Sequence, residues 1–143
     1  MEYDVKISEN GNIQVKENNS KYKIDLRARL MDFSVTVIKF LGLLPDRKEY
    51  DVIKYQLSKA ATSVGAIYEE AQAGSYPEFT HRIQICLREI REAHYWLKLL
   101  QKLNISQKQE FCEKLIALLN EAEELKRIFG SISAKTKNKG INQ

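Results

Sequence analysis

Two cysteines in 143 residues, at positions 86 and 112, are too few to build a disulfide framework. Both fall in helix-like patterns, so reduced thiols in a cytoplasmic protein are expected. Long hydrophobic runs are also missing. No apolar stretch approaches the roughly 18 residues of a membrane span. The N-terminus, MEYDVKISENG, is acidic and polar and is not expected to act as a secretory signal. Histidine is scarce too, with only His81 and His94. Glu78-x-x-His81 has the spacing of a di-iron carboxylate ligand pair, but such a site needs a second Glu-x-x-His and two further glutamates. Arg91 stands three residues before His94, so the second pair is absent. The first pair reads instead as a glutamate favoured by a helix N-terminus beside a surface histidine. No His-Glu-x-x-His, zinc-type cysteine spacing, phosphate-binding glycine loop or nucleophile elbow occurs. No catalytic, cofactor-binding or metal-binding residue is therefore expected, and Cys86 reads as a small hydrophobe on an apolar seam.

What the chain does hold is enough apolar sequence for one core: 43% hydrophobic and 29% charged residues, at a single domain's length. Its net charge of +4 is unevenly placed. Residues 126–143 contain Lys126, Arg127, Lys135, Lys137 and Lys139 and no acid, which leaves the rest near neutrality. Such a segment can engage nucleic-acid phosphates without sequence preference, although no aromatic is interleaved to stack bases.

Helical periodicity dominates from residue 25 onward. Leu26, Leu30, Phe33, Val37, Phe40 and Leu44 form one stripe behind an Asp25 cap, with Val35, Ile38 and Leu41 broadening it. A second helix over about 48–73 carries Ile53, Leu57, Ala60, Val64, Ile67 and Ala71, with small residues crowding its middle. Gly74 is expected to stop it in the left-handed conformation. Ser75 and Pro77 then start a third helix with Phe79, Ile83, Cys86, Ile90, Ala93 and Leu97 on one face. Asn104 can close that helix. Ser106 with Gln109 suggests a capping box for a fourth, which carries Phe111, Leu115, Leu118, Ala122, Leu125 and Phe129, with Ile132 a candidate to extend it. Gly130 is a candidate early stop. Short connections between such helices predict an all-α, antiparallel up-down-up-down four-helix bundle over 25–133, followed by a basic disordered tail over 134–143.

Residues 1–24 differ. Tyr3, Val5 and Ile7 alternate with polar residues, as do Ile13 and Val15. A three-residue loop of Glu9, Asn10 and Gly11 would pair Ile7 with Ile13 and Val5 with Val15. The segment is either an ordered hairpin leaning on the helices or a neighbour, or a flexible arm.

More apolar surface is present than one core needs. Ile85, Trp96 and Leu99 lie off the seam of helix three beside Glu89 and Glu92, joined by Tyr55, Tyr68, Ile116 and Leu119. An oligomer interface accounts for this better than scattered exposure. The glutamates are expected to pair with Arg88, Arg91 or a neighbour's bases.

Within the central stretch, Ser63, Val64, Gly65, Ala66, Glu69, Glu70, Ala71 and Gln72 are followed by Glu78, Phe79, His81 and Arg82, then Glu89, Arg91, Glu92, Tyr95, Trp96 and Leu97. This pattern resembles the bacterial four-helix-bundle family of proteins encoded in 23S ribosomal RNA intervening sequences. Ile67 replaces a usual asparagine, and Arg88 stands where lysine is frequent. The resemblance implies a homopentameric ring, and it offers RNA or DNA, a ribonucleoprotein or another protein as partner. No membrane association and no small-molecule substrate are implied. Ser63, Glu69, Glu70, Arg88, Glu89, Arg91, Glu92, Tyr95 and Trp96 become expected motif or assembly residues. Lys126, Arg127, Lys135, Lys137 and Lys139 become expected phosphate contacts. A protein-interaction scaffold with no nucleic-acid role is the competing expectation.

Overall fold

The computed structural model describes residues 2–8 and 12–141, with side chains as far as Lys137. In order these form β1 (Tyr3–Ile7), β2 (Ile13–Glu17), α1 (Leu26–Leu41), α2 (Lys48–Ala71), α3 (Tyr76–Leu103) and α4 (Gln109–Ile141). Each helix packs on the next, and α1 returns to meet α4, so the expected four-helix bundle forms. Its core is built from the stripes read above without Val35, Ile38 and Ile67, and Phe33, Phe40, Phe79 and Phe129 are among its largest fully buried side chains. Phe40 meets Phe111 across the bundle with ring centroids 5.0 Å apart. Small residues bring α1 and α2 close together: the Ser34 hydroxyl donates to the Ala61 carbonyl at 2.9 Å. The Cys86 thiol links α3 to α2 through the Val64 carbonyl at 3.5 Å.

Helix ends follow their local chemistry, with two corrections. The Asp25 carboxylate accepts from the Ala28 N–H at 3.1 Å. Ser75 and Glu78 form a reciprocal capping box ahead of Pro77. Asn104 closes α3 in the left-handed conformation at φ 50°. Gly74, however, is not left-handed. A Cβ there would lie 2.5 Å from the Glu78 carboxylate, so a side chain at 74 would push on the α3 cap. Ser106 accepts from the Lys108 N–H at 3.2 Å, but Gln109 reaches forward to Glu113 instead of back, so no capping box forms there.

The largest correction concerns the chain's end. Gly130 does not stop α4, and the expected boundary at 133/134 falls inside a continuous helix. Ser131, Ile132, Ser133 and Thr136 are all buried, and the Tyr76 hydroxyl donates to the Thr136 carbonyl at 3.4 Å. Tertiary packing here outweighs glycine's helix cost of about 1 kcal/mol.

At the other end the hairpin is ordered. The observed register pairs Val5 with Val15 and Ile7 with Ile13, as the alternation required. The Glu9–Gly11 loop itself lies outside the described residues. Tyr3, Val5 and Val15 are no more than 3% exposed. Burying each contributes about 1.5–3 kcal/mol, enough to hold a ribbon that would be marginal alone. The ribbon packs on α4, where the Tyr3 hydroxyl donates to Glu124 at 3.2 Å. The hairpin docks beside the first turns of α1, since Arg29 reaches the same Glu124 at 3.2 Å.

Candidate functional site

The motif residues of α2 and α3 divide into tethered and open groups. Arg27 forms a two-point pair with Glu69, one contact being Nε to Oε2 at 2.8 Å. Arg82 pairs with Glu70 at 2.6 Å across the α2–α3 turn. Both motif glutamates thus tie helices within one chain. Ser63 is half-buried on α2.

The outer face of α3 is less committed. Among the described residues, Arg88, Glu89, Arg91 and Glu92 form no ion pairs. Burial, followed by repulsion from Glu92, raises the Glu89 carboxyl above its ordinary range. Glu92 accepts from the Trp96 indole N–H at 3.2 Å, and Tyr95 sits edge-on to Trp96. Trp96 is half-buried against the core, whereas Tyr95 is exposed. Tyr68, expected on the outer surface, is instead a core residue packed edge-on against Phe129 at 6.0 Å.

Periodicity assigned Val35 and Ile38 to a broadened inner stripe, but they are exposed. With Met31, which is 65% exposed, they form one wall of an apolar groove between α1 and α2. Thr62, Gly65 and Ala66 make the other wall, and the Arg27–Glu69 pair lies at the groove. Its volume is ≈ 720 Å³. The signal was present in the sequence: Met31, Val35 and Ile38 follow i, i+4, i+7 on a face separate from Leu30, Phe33 and Val37.

The expected phosphate contacts also divide. Lys126 pairs with Glu123 at 2.8 Å, and Arg127 reaches Glu123 at 3.4 Å and Glu2 at 3.8 Å. His94 completes this cluster, its Nε2 3.4 Å from Glu123. Burial and the nearby Lys126 hold the His94 imidazole below its ordinary pKa, although Glu123 opposes them. Beside it, Arg29 bridges Glu121 and Glu124, which also holds Tyr3. Lys135 and Lys137 are exposed on α4 without ion pairs among the described residues. The side chain of Lys139 lies outside the described residues.

Chemistry at the thiols and acids is limited. Burial, then Glu89, pushes the Cys86 thiol up to about 12, leaving almost no thiolate at neutral pH. Among the described residues, no three histidine, cysteine or carboxylate side chains are grouped to hold a metal ion. Nor, among those residues, is any helix long and apolar enough to cross a membrane.

Comparison with known proteins agrees with this architecture. A search of curated proteins returned no match. Among solved structures, a crystal structure of a protein of unknown function from the S23 ribosomal protein family of Bacteroides thetaiotaomicron VPI-5482 superposes with a TM-score of 0.66. It is 25% identical, and the match covers 76% of this chain and 97% of that one. The profile of a family described as 23S rRNA-intervening sequence protein matches residues 23–131, which takes in α1 to α3 and most of α4. The hairpin and the last turns of α4 fall outside it. The chain belongs to the 23S rRNA-intervening sequence protein family.

Proposed function

We propose that the protein is a non-catalytic, cytoplasmic bundle that assembles into a homopentameric ring and binds RNA or a ribonucleoprotein. The observation that carries this reading is the α1–α2 groove, where Met31, Val35 and Ile38 stand exposed together on one apolar wall. A second exposed set, Tyr95 and Leu103 on α3 with Ile116 on α4, belongs to a different face. Two unlike apolar faces joined head to tail generate a ring where the rotation between neighbours closes, whereas a two-fold dimer would bury the same patch twice. The family's link to 23S rRNA and the open Lys135 and Lys137 support an RNA partner. The scaffold alternative is favoured by one observation: Lys126 and Arg127 are already satisfied by carboxylates of their own chain.

Light scattering at micromolar concentration tests the assembly. The expected mass is five times the 16.6 kDa of one chain. Val35→Glu with Ile38→Glu is expected to give monomers of unchanged helical circular dichroism, and Trp96→Ala a smaller loss of assembly. A monomeric wild type overturns the ring. Anisotropy with a structured RNA tests the partner, and no binding at low salt leaves the scaffold reading.

A further inference from the structure

The N-terminal ribbon has a second face that the core does not use. Strand β1 turns Tyr3 and Val5 inward, so Asp4 and Lys6 face out. Strand β2 turns Val15 inward, so Gln14 and Lys16 face out. The observed pairing sets Asp4 opposite Lys16 and Lys6 opposite Gln14. The chain then doubles back through Asn19, at φ 65°, and Ser20, whose N–H donates to the Glu17 carbonyl at 3.0 Å. The Tyr22 N–H donates to the Ser20 hydroxyl at 3.1 Å, and the Ile24 N–H to the Val15 carbonyl at 2.6 Å. These bonds hold residues 20–24 alongside β2. Lys21 and Lys23 consequently line the same depression as Lys6 and Lys16.

Four lysines converge there against one aspartate. Lys16 lies 4.0 Å from Asp4, and no carboxylate among the described residues pairs with Lys6, Lys21 or Lys23. With one aspartate against four lysines, the hollow carries a net positive charge that would attract an anionic ligand. The hollow measures ≈ 150 Å³, well below the ~300 Å³ of a drug-sized pocket and suited to a small anionic group. Tyr22, between Lys21 and Lys23 in sequence and outside the lining of the hollow itself, is 71% exposed, and the Lys21 ammonium lies 5.3 Å from its ring centroid. A cationic concavity with an exposed aromatic is the arrangement that holds single-stranded nucleic acid, by phosphate contact and base stacking together. An acidic peptide would leave the ring unused. A lipid surface is flat, whereas these lysines line a hollow. Among the described residues, Lys126, Arg127, Lys135 and Lys137 of α4 lie over no aromatic ring.

The geometry points to the outer face of the hairpin as a single-stranded RNA contact, with Lys6, Lys16, Lys21 and Lys23 on phosphates and Tyr22 on a base. This rests on the RNA-binding reading above and moves its centre from α4 to the N-terminus.

The test is anisotropy of a labelled 12-nucleotide single-stranded RNA on the full-length protein from 25 to 300 mM KCl. Changing all four lysines to glutamine is expected to weaken binding at least about tenfold at low salt. The slope of log affinity against log salt should become shallower by about 2–3, since each single-strand phosphate contact contributes about 0.7. Tyr22→Ala should weaken binding about fivefold or more with the salt slope unchanged. That variant, at an exposed ring, carries the test if the quadruple variant loses its helical circular dichroism. If the wild type binds no RNA at 25 mM KCl, the RNA reading falls and this site with it. If the wild type binds and both variants match it, only the hairpin assignment falls, and Lys135→Gln with Lys137→Gln then tests α4. Equal lysine-dependent capture of an oligoglutamate peptide, or of vesicles containing phosphatidylserine, also overturns the assignment.

Discussion

His94 is the side chain through which this bundle should respond to mild acid. Its folded pKa is held below the ordinary value of about 6.5 by burial and by Lys126, although Glu123 pulls the other way. The unfolded chain therefore binds the extra proton first, and stability rises with pH through the window just below 6.5. Replacing His94 with glutamine is expected to flatten the stability profile between pH 5 and 7, measured by urea denaturation at each pH. An undiminished slope would assign the effect to another group. Single residues were legible in the sequence where the chemistry is local: Asp25, Ser75 and Asn104 cap helices because their own side chains or backbones can. Gly74 was harder, because its smallness answers to the Glu78 carboxylate four residues on and not to its own φ. The Tyr68 assignment failed for a related reason, since its partner Phe129 is 61 residues away and invisible to periodicity.

At the scale of elements, α4 departs most from what its sequence suggested. Glycine, serine and a run of polar residues argue for a stop near 130, yet burial of Ile132 and Thr136 carries the helix on. A Cβ at Gly130 would meet nothing within 4 Å, so the position pays glycine's entropy without needing glycine's shape. Gly130→Ala is expected to stabilise the fold by about 1 kcal/mol, read as a raised Tm in thermal circular dichroism. A lowered Tm would show that the helix bends there. The hairpin presented the opposite case. Its register followed from alternation alone, because a one-residue slip would have turned Val5 and Val15 outward. Whether it docked depended on an acceptor surface on α4, and nothing in residues 1–24 encodes that surface.

For the whole molecule, the four stripes were enough to specify the bundle, while the surfaces that could recruit partners were only partly readable. Val35 and Ile38 merge with the core stripe when Met31, the third member of their i, i+4, i+7 face, is left out of the pattern. The lysines of the ribbon escaped notice because they are scattered over residues 6 to 23 and gather only after the chain folds back. Tyr3 and Glu124, whose contact joins opposite ends of the chain, have a consequence for how the protein is made. The ribbon emerges before α4 during synthesis, and its docking surface follows more than a hundred residues later. At about 5–20 residues per second, it must wait on the order of ten seconds with its apolar face open. A ribbon that closes last contributes to holding the native state, not to reaching it. Tyr3→Ala should accordingly speed unfolding in stopped-flow measurements and leave the refolding rate unchanged. An equal slowing of refolding would place the ribbon in the folding nucleus. On the ordinary course, those seconds are when a newly made chain is most exposed to chaperones and proteases, and the arrival of α4 ends them.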